Sequence, residues 1–249
     1  MTLASPPPGV VAKRHFVLQC RRAQEQDQSM IAYGIFNFLH VLVFAVIVGI
    51  ELPALYALRM AGAPSGNEAT RSMAVRVKRY ADAVSAIMLV LLLPLGVQIA
   101  TELGVYTLMS SGWLIATWVV GLAWLAIALM SELTGNSKWA QRIYKSECVL
   151  RIIIGLGNVY DAVVGFAGDG MIQTNWLAAK VLLFGLVLVV SGWIRWQTRA
   201  VRFASLNAAD ETGADSQQLI DTIRRAQWGS HSILAMVLIA AYLGTAKPW

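Results

Sequence analysis

Charge is scarce in this chain. Asp, Glu, Lys and Arg make up 14% of its 249 residues, where soluble globular domains carry about 25%. Hydrophobic residues make up 57%. That balance leaves too little polar surface for a soluble domain and predicts a polytopic membrane protein. Cysteine is nearly absent. Cys20 lies in a polar stretch and Cys148 at the start of an apolar one. Neither has a metal-binding or redox spacing, so both read as free thiols. No Cys-x-x-Cys-His is present, which excludes covalent c-type haem. The P-loop, the dinucleotide-binding fingerprint and Gly-x-Ser-x-Gly are also missing. The net charge of +6 is ordinary for a membrane protein and does not predict nucleic-acid binding. A signal peptide is not expected either. Lys13, Arg14, Arg21 and Arg22 follow three prolines, and no apolar run begins before Tyr33.

What the chain does have is long apolar runs. They predict an all-α, polytopic transmembrane helix bundle of about six spans over 32–249, after a polar tail over 1–31. The first span, Tyr33–Leu58, is long enough to cross a bilayer core with some tilt. The second runs from about Arg76 to Glu102, with Pro94 expected to kink it. The third runs from Trp113 to about Met130, the fourth over roughly Cys148–Phe166. The fifth covers Trp176–Trp196 and the sixth about Trp228–Gly244. The fourth is the least apolar. Arg151, Asn158, Tyr160 and Asp161, with Gly155 and Gly157, make it read as a tightly packed interior helix. Trp113-Leu-Ile-Ala-Thr117 and Trp176-Leu-Ala-Ala-Lys180 begin 63 residues apart. Each opens a span after a base-free turn, which suggests a repeated hairpin of spans two/three and four/five.

Lys and Arg set the orientation. Fourteen of them fall in or beside the first, third and fifth connections, and none in the second and fourth. The odd connections are therefore expected in the cytoplasm, with both termini outside. The four bases of the tail point the other way, and a five-span reading without the fourth crossing would reconcile them.

Few residues in the spans can carry chemistry. His40 and Glu51 are eleven residues apart on the first span, within about 20° of each other around a helix. Asn37 borders that stripe one turn earlier. An ionisable group in a spanning helix is expensive and marks a functional position. His40 either hydrogen-bonds to a neighbouring helix or ligates a metal, haem iron or copper. Lys180 sits at similar depth, one turn into the fifth span. It either snorkels to headgroups or faces inward and holds an anion such as a cofactor carboxylate. Asp161 is its alternative partner. His231 lies near the inner start of the sixth span, roughly 15 Å in depth from His40, too far to share one iron. Glu51 is expected to pair with Arg76 or Arg79, or to handle protons on a path to the His40 pocket.

Three stretches also carry a resemblance: Leu39-His40 with Gly49…Leu52-Pro53, then Trp176-Leu177-x-x-Lys180, then the last apolar helix closing in Lys247-Pro248-Trp249. Together and in this order they resemble the HemJ-type protoporphyrinogen oxidases and the wider group that includes CopD-like copper-resistance membrane proteins. The resemblance implies a helix bundle holding haem b in a bacterial inner membrane. His40 would be the iron ligand and Lys180 a functionally required residue near the porphyrin. The expected activity is electron transfer or porphyrinogen-oxidase-like redox chemistry, with a redox protein or a quinone as partner, and with self-association open. CopD-like copper transport and a non-catalytic membrane anchor are the alternative readings.

Overall fold

The structure is a computed structural model and describes the backbone of residues 8–61, 68–107, 111–133, 137–207 and 216–246. Side chains are described mainly within 30–60, 76–107, 112–133, 137–199 and 224–246. The described residues form six helices: α1 (Pro8–Ala61), α2 (Glu68–Glu102), α3 (Ser111–Leu133), α4 (Lys138–Phe166), α5 (Asn175–Asn207) and α6 (Ser216–Ala246). Each contains a segment long and apolar enough to cross a membrane, the fourth (Lys138–Phe166) included. The protein is an all-α bundle of six spans, and the five-span reading does not hold. Helix α1 begins at Pro8 and runs for 54 residues, so helical backbone takes up most of the stretch read as a tail. The side chains of His15 and Cys20 lie outside those described.

Each helix packs on its neighbour in the chain, and α6 closes back on α1. The centre is filled by Val43 and Ile47 of α1, Leu89, Val90 and Leu95 of α2, Trp124 of α3, Val187 and Leu188 of α5 and Val237 of α6. The outward faces are apolar as well: Phe38 and Val41, Val119 and Leu122, Ile153 and Leu156, Leu238 and Ile239 are exposed. Such a surface suits lipid. In lipid, helix association rests on close packing rather than on water exclusion. Glycines supply that packing between α4 and α5. A Cβ on Gly155 would stand 2.8 Å from the Gly185 carbonyl oxygen, and one on Gly185 would stand 2.7 Å from that of Gly155. At Gly192 a Cβ would reach the Cys148 carbonyl oxygen at 3.1 Å. Helix α4 is thus one wall of the ring rather than an interior helix. Its Tyr160 is exposed while Arg151 is fully buried.

Connections at the two ends differ. At the base-free end, α2/α3 and α4/α5 turns meet in an antiparallel bridge between Tyr106 and Ile172. Thr107 N–H donates to the Met171 carbonyl (2.8 Å) and Gln173 N–H to that of Val105 (3.0 Å). Gly104 (φ 69°) and Gly168 (φ 84°) turn the chain out of α2 and α4, a left-handed conformation that glycine adopts without strain. The proposed repeat is not matched at its tryptophans, since Trp113 is exposed and Trp176 is buried. At the other end, Ser137 caps α4 by accepting from Ala140 N–H at 3.1 Å.

The α4/α5 contact can be tested with a single methyl group. Gly185→Ala is expected to cost about 1–3 kcal/mol by overpacking. Gly157→Ala, which meets nothing within 4 Å, should be close to neutral. Thermal unfolding of the two variants in one detergent measures the difference.

Candidate functional site

Polar groups gather at the two ends of the bundle, in different states. At the basic end the arrangement starts from helical spacing. Lys78, Asp82 and Ser85 follow an i, i+4, i+7 pattern and share one face of α2. Glu147 and Arg151 are an i, i+4 pair on α4, and Ser191 and Arg195 on α5. In the fold these faces converge with Glu51 of α1, Glu132 of α3 and Ser230 of α6. Lys78 Nζ donates to Glu51 Oε2 (3.2 Å) and Ser230 Oγ (2.7 Å), and it contacts Asp82 Oδ1 at 2.8 Å. Ser85 Oγ donates to Glu51 Oε1 at 2.9 Å. Arg151 Nε donates to Glu147 Oε1 (2.8 Å), and its terminal nitrogen also binds that oxygen and the Ala86 carbonyl. Arg195 binds Glu132 through one terminal nitrogen and sets its Nε 3.3 Å from Glu147 Oε2.

Glu147 and Arg151 are 0% exposed, Glu51 4%, Arg195 6% and Lys78 8%. Charges taken this far from water cost several kcal/mol each, and only close pairing offsets that cost. Aromatic rings help. Arg151 lies over the Trp124 ring at 5.7 Å and Arg195 over Tyr144 at 4.7 Å. The two ion-pair groups share a cavity of about 30 Å³ lined by Glu51, Lys78, Asp82, Arg151, Arg195 and Ser230. It has room for one or two waters.

These contacts correct the sequence reading. Glu51 pairs with Lys78, not with Arg76 or Arg79. The helical period turns Arg76 outward, and Arg79 lies 5.7 Å from the Tyr80 ring centroid. Lys78, Arg151 and Arg195 belong to the interior and not to the surface charge of the odd connections. Asp82, Glu132 and Glu147 were missed. The signal for Asp82 and Glu147 was an acid and a base four residues apart on one helix, Lys78 with Asp82 and Glu147 with Arg151; Glu132 has no such neighbour, and its partner Arg195 lies on another helix.

At the opposite end the structure brings His40 and Lys180 together. The Lys180 ammonium is close enough for its charge to act on the His40 imidazole. His40 Nδ1 is buried and has no hydrogen-bond partner. Two glycines let these side chains approach the neighbouring helices closely. A Cβ on Gly96 of α2 would be 3.6 Å from His40 Cε1, and one on Gly244 of α6 would be 2.6 Å from Lys180 Nζ. Lys180 is half-buried, with its Nζ 6.0 Å from the Trp176 ring centroid, so it lies along α6 instead of extending outward.

The remaining candidates lie elsewhere. Asn37 is exposed and not on the inward stripe with His40, because the stripe is narrower than one helical turn of sequence. Asp161 accepts from the Tyr106 hydroxyl at 3.2 Å. Burial, and then the Asp161 charge, push the Tyr106 phenol above its usual range. His231 is exposed, and its Nδ1 bonds to the Gln227 carbonyl of its own helix at 2.7 Å. It does not meet His40, in keeping with their difference in depth. Among the described residues no three His, Cys, Asp or Glu side chains converge as a metal-binding group.

No protein-family model, curated protein or solved structure matches the chain. Its class therefore rests on its own geometry: an all-α, multi-pass membrane protein with a buried ion-pair network at one end and a buried imidazole nitrogen without a hydrogen-bond partner at the other.

Removing one charge from the network should be costly. Arg195→Met takes the partner from Glu132 and one contact from Glu147, and should destabilise by about 3–5 kcal/mol. The charge-balanced double change Glu147→Met with Arg151→Met should cost less than Arg151→Met alone. Denaturation of the three variants in the same detergent decides the order.

Proposed function

We propose that this chain is a b-haem-binding protein of a bacterial inner membrane, with His40 as axial ligand. The observation that carries the reading is the His40 Nδ1, enclosed and without a partner. A buried polar atom left unbonded costs about 1–3 kcal/mol, so such an atom points to a ligand. Among the described residues this end offers a single imidazole, and it suits a group that brings four ring nitrogens of its own. A copper site built by the protein would need more donors to converge, which argues against the transport reading.

The surrounding residues fit the same group. Gly96 keeps the face of α2 beside His40 flat, and apolar Phe36, Phe44 and Leu93 pack on the adjoining core. Lys180 supplies a positive charge beside the ring, suited to a porphyrin carboxylate. Bound there, haem would supply one-electron chemistry at a potential set by ligand, burial and nearby charge. Oxidation of a porphyrinogen is one specific form that this activity could take. The part of the protein in it is to hold, orient and keep water away.

The test is the visible spectrum of detergent-purified protein made with an ample haem supply. A b-type Soret band with a reduced α band is expected. His40→Ala should abolish or shift it, while His231→Ala should leave it intact. Lys180→Met should weaken haem retention about tenfold or more, the loss of one charge-assisted hydrogen bond of ~1.5–3 kcal/mol. A spectrum without these bands overturns the reading and leaves a non-catalytic anchor. Loss in His231→Ala but not in His40→Ala would move the site to the other end.

A further inference from the structure

Three bases at the start of α4 stand apart from the ion-pair network. Lys138, Arg142 and Lys145 follow an i, i+4, i+7 pattern and so share one face of the helix. All three are exposed. Among the described residues none of them takes part in an ion pair. The one carboxylate within 138–147 is Glu147. It is turned inward, 0% exposed, against Arg151 and Arg195. The exposed face of this stretch therefore carries charge of one sign.

Depth decides what that face meets. The fourth span, Lys138–Phe166, has 29 residues, about 43 Å at the helical rise. The hydrocarbon core takes up about 30 Å, so roughly nine residues of the span lie in headgroup layers. The apolar run begins only at Cys148, which puts that surplus at the Lys138 end. The three bases thus run along the headgroup layer over about 10 Å. Helix α5 adds a fourth. Arg195 faces α4, where the Tyr144 hydroxyl donates to its carbonyl at 3.4 Å. Arg199 lies one turn further along the same face of α5. The two helices are antiparallel, with Gly192 against Cys148, so Arg199 comes level with Gln141, between Lys138 and Lys145. It is held at that level: its guanidinium lies 4.2 Å from the Trp196 ring centroid and donates to the Trp196 carbonyl at 2.9 Å.

We propose that this stripe, with Arg199 beside it, binds the headgroup of an anionic phospholipid on the basic side of the membrane. Charge selects among lipids here. A zwitterionic headgroup brings an ammonium along with its phosphate, and a face of bases alone gives that ammonium no partner. A headgroup whose only charge is its phosphodiester is matched by the bases. Arg142, at the middle of the stripe, suits two phosphate oxygens through its fork, and the flanking lysines act as point charges. The exposed Trp139 ring belongs to the same layer, where tryptophan is favoured. The site lies at the end of the bundle opposite His40 and does not depend on what His40 holds.

Equilibrium titration of the detergent-purified full chain with phosphatidylglycerol or phosphatidylcholine in mixed micelles tests this. Phosphatidylglycerol should bind about tenfold or more tightly than phosphatidylcholine, and the difference should shrink as salt is added. Lys145→Gln should weaken phosphatidylglycerol binding about fivefold, the ~1 kcal/mol of one base at a charged membrane surface. Changing Lys138, Arg142 and Lys145 together to Gln should abolish the preference. The double change Arg224→Gln with Arg225→Gln, on α6, should leave it in place. Equal binding of the two lipids overturns the proposal, and so does an equal loss in the α6 variant, which would reduce the effect to overall surface charge. Competition by soluble glycerol 3-phosphate at the lipid's own concentration would overturn the lipid as the source of the phosphate. If the triple variant fails to fold, Lys145→Gln and the salt dependence still decide. His40→Ala should bind the lipid as the unchanged protein does, so this result and the haem spectrum are read separately.

Discussion

Charges that have left water must find each other, and in this bundle that requirement reaches every helix. Glu51, Lys78, Glu132, Glu147, Arg195 and Ser230 come one from each of the six. Apolar side chains alone would let neighbouring helices slide or rotate with modest loss, because lipid is as good a neighbour as leucine. An ion pair does not allow this. A slip of one residue along α2 would move Lys78 off the Glu51 carboxylate and leave both without a partner. The network therefore sets register where apolar packing sets only proximity.

The glycines complete that constraint on the α4/α5 side. Gly155 against Gly185, and Gly192 against Cys148, bring the two backbones together. Arg151 and Arg195 then project from adjacent helices into the same space, with Trp124 and Tyr144 over their guanidinium groups. Buried arginine is tolerable here because its fork finds a carboxylate on one side and a ring on another. At the opposite end no such satisfaction is reached at His40, whose Nδ1 remains unbonded. The five buried charges of the network all stand in ion pairs.

Several features were legible from residues alone. The six apolar runs, their order and the basic and base-free connections all follow from local composition, and the structure keeps each of them. The meeting of His40 with Lys180 followed from depth counting, since antiparallel helices of known rise bring residues to the same level. The separation of His40 from His231 followed in the same way. Angle was read less well than depth. Asn37 was placed at the border of the inward stripe and is exposed. Arg76 and Arg79 were preferred to Lys78 for Glu51, although only Lys78 shares a face with Asp82 and Ser85. Bases near a helix end look alike whether they point to water or to a carboxylate on another helix.

Composition and the lengths of the apolar runs settled by themselves that the chain is an all-helical membrane bundle, because hydrocarbon leaves the backbone no other way to satisfy its polar groups along a single span. Which acid meets which base was decided only when six helices closed into a ring, since that depends on rotation about each axis and on glycine contacts far apart in the chain. The sharing of Lys78 between Glu51 and Asp82 is of this second kind. It is a property of neighbours in space, and no single segment contains it.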